Sequence, residues 1–299
     1  MSLSNEGVCQ TRFVLTRIES FVTLLDRPAD NGSGRAENGK VYMAKRHENM
    51  SHLSVEPASF RKLMALSDLP RSDLRALGDL PYSDMTVARN RVLIDHTSDP
   101  LKCFVMVAGW AYSYAVMPNG RRQVFHIYQE GDVVGFDDLM FHQNTFSVSA
   151  ITNCRLANIS IDRMRLFLSR NIRLSASLYA MSSLNQIVIM DRMQAIARLE
   201  PKPRMAHFLL EIMSRTRVTS EFHNGRRGQS NVFNLPMRQG LIADCVGMSA
   251  VHVSRTLSWF VEKGIISRPA RHIFEALDEA RMVELCGYKN RYETIARIA

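Results

Sequence analysis

Residues 241–257, LIADCVGMSAVHVSRTL, carry the tightest constraint in the chain. Ala243 is small enough to let a following helix cross closely, and Gly247 supplies the left-handed turn that a residue with a β-carbon adopts only at a cost. Ile242, Val246, Met248 and Val253 are placed to join two short helices by apolar contact, and Ser249 stands where the second needs its cap. The spacing predicts a helix-turn-helix whose second helix runs to Lys263 and stops at Gly264. On that helix Val253, Leu257, Phe260 and Val261 share one face and form the expected buried stripe.

The opposite face offers Val251, Ser254, Arg255, Ser258 and Glu262, with Ala250 and His252 at its start. An arginine there can donate two hydrogen bonds to guanine O6 and N7 in a major groove, and the helix start directs backbone N–H groups toward a phosphate. Downstream, IISRPARHIFEAL reads as two short strands around Pro269 and Ala270, a wing carrying Arg268, Arg271 and His272. The candidate contacts to double-stranded DNA are therefore Ser249, Ala250, Val251, His252, Ser254, Arg255, Arg268 and Arg271. A winged helix can also serve protein contact or be a passive module. Charge favours DNA: the chain is +9 overall, and residues 201–299 hold 15 Lys and Arg against 9 Asp and Glu.

Upstream, residues 85–161 are short β-rich runs, among them KCFVMVAGWAYSYAV, RRQVFHIY and FSVSAIT. They are separated by turn formers such as Pro118-Asn119-Gly120 and Glu130-Gly131-Asp132, which predicts a closed or sandwiched antiparallel unit. From Ile172 to about Arg198 the chain lacks Pro and Gly and places Leu174, Leu178, Met181, Leu184 and Val188 at helical spacing. A helix this long beside a small β unit is expected to dimerise through that seam, although intramolecular packing is the other use of such a stripe. Pro201 and Pro203 are expected to end it, MAHFLLEIMSRT to form a further helix, and RVTSEFHNGRRGQSN to be a polar loop. A short helix carrying Leu74 and Leu77, capped by Ser67 or Asp68, should precede the strands.

The fold class is thus α+β, in four parts. Residues 1–55 are expected to be a disordered or weakly ordered extension, 60–170 an antiparallel β domain, 171–200 a dimerisation helix and 201–290 a winged helix-turn-helix. The five cysteines are scattered without a CxxC pair, so neither a disulfide framework nor a zinc site is legible, and a reducing cytoplasm is the expected setting. FVLTRIESFVTLL is broken by Arg17 and Glu19 and reads as neither signal peptide nor membrane span.

GMSAVHVSRTL, preceded by NLPM and followed by EKGII, resembles the winged helix of the Crp/Fnr family of bacterial transcription regulators. NGRRQVFHIYQEGDVVGF is similar to that family's β-roll, and MAHFLLEI to the first helix of its C-terminal domain. The resemblance spans residues 67–287 and implies a cyclic-nucleotide-binding-like β-roll, a homodimer joined by the long helix, and a partly palindromic operator. It also implies RNA polymerase as a partner and a small-molecule effector of unspecified kind. Arg255 matches the family's base-reading arginine, while Val251 stands where the family often has a glutamate.

Cyclic-AMP-binding members place a glutamate and an arginine where this sequence has Phe136 and Asn144, so cyclic nucleotide binding is not expected. Cys9 alone cannot replace an N-terminal cysteine cluster, and His96, His126 and His142 read as structural or surface residues rather than haem ligands. No metal or cofactor is expected. Two other classes remain as alternatives. One is an enzyme using Asp132, Asp137, Asp138 and His126, disfavoured because adjacent aspartates in a strand face opposite sides. The other is a module binding a cyclic nucleotide or other small ligand, with a secondary winged helix.

Overall fold

The computed structural model describes residues 71–224 and 230–293 together with Lys62. The extension expected over 1–55 and the caps Ser67 and Asp68 lie outside the described residues. Helix α1 (Arg71–Gly78) buries Leu77 and is followed by eight strands: β1 (Ser83–Val87), β2 (Val92–Ile94), β3 (Cys103–Ala108), β4 (Ala111–Val116), β5 (Arg122–Tyr128), β6 (Val133–Val134), β7 (Ser147–Ala150) and β8 (Cys154–Ile159).

They form two antiparallel four-stranded sheets, ordered β1-β8-β3-β6 and β2-β7-β4-β5. Leu93, Ile94, Phe104, Met106, Val148 and Leu156 are buried in one cluster drawn from both sheets. Gly135, with φ +79°, follows β6 where an added β-carbon would sit 2.0 Å from the Lys102 carbonyl oxygen, so no other residue fits. The β-rich runs are thus legible from their composition and from the turn formers between them.

Helices α2 (Ile161–Arg170) and α3 (Ile172–Arg198) come next. Ser160 caps α2 by accepting from the Arg163 amide at 3.3 Å. In α3 the seam Leu174, Leu178, Met181, Leu184 and Val188 is buried at 0–4% exposure, in a cluster with Leu77, Val105, Val133, Leu139 and Met164 of the same chain. These five residues serve the intramolecular use of the stripe and offer nothing to a partner helix. The dimerisation seam expected there is corrected on that ground: its apolar area is already removed from water within one chain.

Helix α4 (Pro201–Asn224) begins on the two prolines, which its first turn tolerates because those N–H groups have no helical acceptor. It continues through RVTSEFHN, expected to be loop, because that stretch has no Gly or Pro before Gly225. Strand β9 (Val232–Asn234), α5 (Gln239–Val246), α6 (Ala250–Glu262), the β10–β11 hairpin (Ile266–Ala270, Ile273–Ala276) and α7 (Glu279–Cys286) complete the fold, with β9 pairing antiparallel to β11. Phe208, Leu209, Ile212, Val253, Leu257, Phe260 and Phe274 share a core with Tyr112, Val124 and Ile127 of the β sheets, so the two halves bury surface against each other.

Charges are buried at this junction. Arg192 of α3 donates to both carboxylate oxygens of Glu211 on α4 and, at 3.0 Å, to the Phe125 carbonyl of β5. Arg215 of α4 donates to Asp132 at 2.9 Å, and Lys62 is ion-paired with the same carboxylate. Burial and the nearby Arg215 lower Lys62 to about 8. Burial first, then Arg215, Lys62 and Arg192, hold His126 well below its ordinary value.

Leaving Arg192 without its carboxylate should be severe: Glu211→Gln should cost about 3–5 kcal/mol in urea unfolding, and a paired Arg192→Met/Glu211→Leu change should recover most of it. A second expectation concerns pH. His126 is neutral in the folded chain but takes a proton near 6.5 when unfolded. The unfolded state therefore binds more protons below that pH, and stability should fall on acidification from about pH 7 to about pH 5.5. Unfolding midpoints of His126→Gln should fall less steeply, and His207, also lowered by burial, should supply the remainder.

Candidate nucleic-acid interface

Helix α5 ends on Gly247 in the left-handed conformation, φ 64° and ψ 41°, and its amide bonds back to the Ala243 carbonyl. Ser249 then caps α6, its hydroxyl accepting from the His252 amide at 3.2 Å. Val253, Leu257 and Phe260 are buried as expected, joined by Thr256. Val261 is 43% exposed, because the i+8 position has rotated off the stripe.

The opposite face is open. Ser249, Ala250, Val251, His252 and Arg255 are exposed and Ser254 is half-buried. Ser249, Val251, His252 and Arg255 border a cleft of about 650 Å³ together with Glu200, just before α4, and Pro201 and Lys202 at its start. Lys202 lies 4.2 Å from the centre of the Trp259 ring, a cation–π contact that holds its charge beside α6. In the wing, Arg268 and Arg271 are exposed, with the Arg268 guanidinium 5.0 Å above Phe274. Arg238, exposed at the N-cap of α5, adds a further cation. Sequence reasoning missed Lys202 and Arg238. Their positions at helix starts beside the motif were the available signal.

The reading head is held from behind. Arg204 of α4 donates to the carbonyls of Val246 and Gly247, at 3.2 and 3.3 Å. Arg122 of β5 donates twice to Asp244 of α5, at 2.8 and 2.7 Å, while its guanidinium lies over Tyr112 and Tyr114. A strand of the β unit therefore grips the first helix of the motif.

The other candidates do not converge. Asp132 is taken up by Lys62 and Arg215. Asp137 accepts from Ser182, and Asp138 from Thr145. His96 bonds Ser147 at 2.7 Å, His142 is exposed and His126 is buried. Phe136 packs among core residues, and the Asn144 side chain donates to the carbonyls of Asp99 and Pro100, tying down a loop.

A Crp-like helix-turn-helix domain model matches residues 203–285 and a cyclic nucleotide-binding domain model matches residues 85–171, together more than half of the chain. The chain belongs to the Crp/Fnr family. It is similar to the nitrogen fixation regulation protein FixK of Azorhizobium caulinodans, 26% identical over 61% of this chain and 71% of that protein. It also matches the anaerobic regulatory protein of Aggregatibacter actinomycetemcomitans, 21% identical over 70% of this chain and 79% of that protein. The structure of FixK2 from Bradyrhizobium japonicum superposes with a TM-score of 0.61 at 20% identity, covering 70% of this chain and 98% of that one, a likeness of fold. This Crp/Fnr member is a transcription regulator with a helix-turn-helix DNA-binding domain and a cyclic-nucleotide-binding-like β domain.

Side chains that meet phosphate and side chains that meet bases should separate in salt titrations. Lys202→Ala, Arg268→Ala and Arg271→Ala should each weaken all DNA sequences alike and lower the salt slope by about one. Arg255→Ala should instead cost roughly tenfold to a hundredfold per half-site on the selected operator and relax preference at one base pair. Fluorescence anisotropy on the selected operator and on a copy altered at that pair checks both; equal effects would refute the division.

Proposed function

We propose that this regulator binds a partly palindromic operator as a homodimer, each protomer placing α6 in the major groove, and alters transcription initiation with RNA polymerase as its partner. The reading rests on one observation: the face of α6 carrying Val251, His252 and Arg255 is exposed, while Val253, Leu257 and Phe260 bury the other. Arg255 reads a guanine in this account. Ser249, Ala250, His252 and Ser254 meet phosphates or base edges, Val251 meets a thymine methyl, and the wing arginines meet the backbone. Residues 60–170 serve as sensor or scaffold, 171–200 as the dimer helix and 201–290 as the DNA-binding unit.

The dimer face lies opposite the buried seam. Ile172, Ala176, Tyr179, Ser183, Gln186, Met190, Met193 and Ala197 recur at alternating four- and three-residue steps, the spacing of a two-helix supercoil. Ile172, Tyr179, Met190 and Met193 are 82, 72, 55 and 62% exposed, a stripe that water would solvate poorly in a lone protomer. In this reading the protein works in the cytoplasm as a regulator rather than an enzyme, in line with the regulatory proteins that it resembles. Among the described residues, no helix is long and apolar enough to cross a membrane.

Selection of bound sequences from random DNA should return two inverted half-sites about one helical turn apart. Light scattering should give a dimer for the unaltered protein and a folded monomer for Tyr179→Glu/Met193→Glu, whereas Leu184→Glu should lose stability instead. Asymmetric single sites, or a monomer at micromolar concentration, would contradict the reading.

A further inference from the structure

Two helices end on one guanidinium. Helix α3 stops at its C-cap Leu199, which is extended at φ −92° and ψ 143°, and α5 stops at Val246 before the left-handed Gly247. The last carbonyls of a helix have no acceptor role inside it and carry the negative end of its dipole. Arg204 supplies a cationic donor to both ends at once. Its Nε and Nη2 donate to the Leu199 carbonyl at 3.2 and 2.7 Å, while Nη1 donates to the carbonyls of Val246 and Gly247 at 3.2 and 3.3 Å.

Arg204 stands in the first turn of α4, where a cation meets the positive end of its own helix. Reaching back to two C-termini offsets that cost. The turn also rests directly on α3: a β-carbon added to Gly247 would lie 3.3 Å from Cγ2 of Ile196. Hydrogen bonds and packing thus join the turn of the motif to the end of the long helix, whereas the Arg122–Asp244 pair ties α5 to strand β5.

We infer that Arg204 is a positioning residue that sets the spacing required between the two half-sites, an assignment that rests on the homodimer and operator proposed above. In a dimer joined through α3, each reading head stands where its own long helix holds it. The join at Arg204 therefore fixes the distance and rotation between the two copies of α6. Adding or removing one base pair at the operator centre shifts a half-site by about 3.4 Å and turns it by about 35°. A motif held on α3 rejects that change, and a motif released from α3 adjusts to it.

Fluorescence anisotropy with the full-length protein tests this on four duplexes: the selected operator, copies lengthened or shortened by one central base pair, and a single half-site. The unaltered protein should bind the shifted copies at least about a hundredfold more weakly than the selected operator, since only one head then engages. Arg204→Met should shrink that penalty to less than about tenfold, with half-site affinity within about twofold of the unaltered protein and the guanine preference of Arg255 retained. Arg204→Lys should behave like Arg204→Met, because an ammonium cannot span three carbonyls as the guanidinium fork does. Ile196→Ala, which loosens the packing under Gly247 and leaves the hydrogen bonds in place, should shift the penalty in the same direction and decides the matter if the Arg204 variants fail to melt as folded proteins. Undiminished rejection of the shifted copies would overturn the assignment. So would rescue by lysine, which would make Arg204 a charge for phosphate, or a parallel loss of half-site affinity, which would make it merely structural. Failure of the unaltered protein to select a two-fold operator would instead refute the underlying reading, so the two failures are told apart.

Discussion

Two buried carboxylates hold the molecule together, and each is neutralised by cations from other parts of the chain. Glu211 meets Arg192 of α3, and Asp132 meets Arg215 of α4 as well as Lys62. Because a buried charge is severely destabilising without its partner, these pairs tie the β sheets, the long helix and the DNA-binding half together at defined points beside their shared apolar core. Arg192 also ties the Phe125 carbonyl of β5, so strand, α3 and α4 meet at one guanidinium.

From that junction the reading head is positioned in two further steps. Arg122, on the same strand β5, reaches Asp244 of α5, and Arg204 at the start of α4 closes over the carbonyls of the turn. Strand β5 is thus joined directly to the first helix of the motif by two N–H donations to one oxygen of Asp244.

What the sequence disclosed divides along physical lines. Gly247, Ala243 and Ser249 marked the motif because left-handed turns, close crossings and caps admit few residue types. The β strands were legible from turn formers. The α3 stripe gave its helix but not its partner, since periodicity says which residues share a face and not what covers it. Two apolar stripes run along α3, and the more aliphatic one turned out to be core. Arg122, Arg192 and Arg215 were unreadable in advance because their partners lie 122, 19 and 83 positions away. The continuation of α4 through RVTSEFHN is masked by that stretch's polarity, although it holds no Gly or Pro.

The central claim is that Arg255 reads a guanine in each half of a symmetric site. Methylation interference tests it most directly, because a methyl group on guanine N7 removes the acceptor that the arginine needs. On an operator selected by this protein, methylation of one guanine per half-site should block binding, with the two sensitive guanines related by two-fold symmetry about one helical turn apart. The same pattern should vanish with Arg255→Ala on the residual complex. Sensitive guanines that lack symmetry, or that stay sensitive without Arg255, would contradict the account.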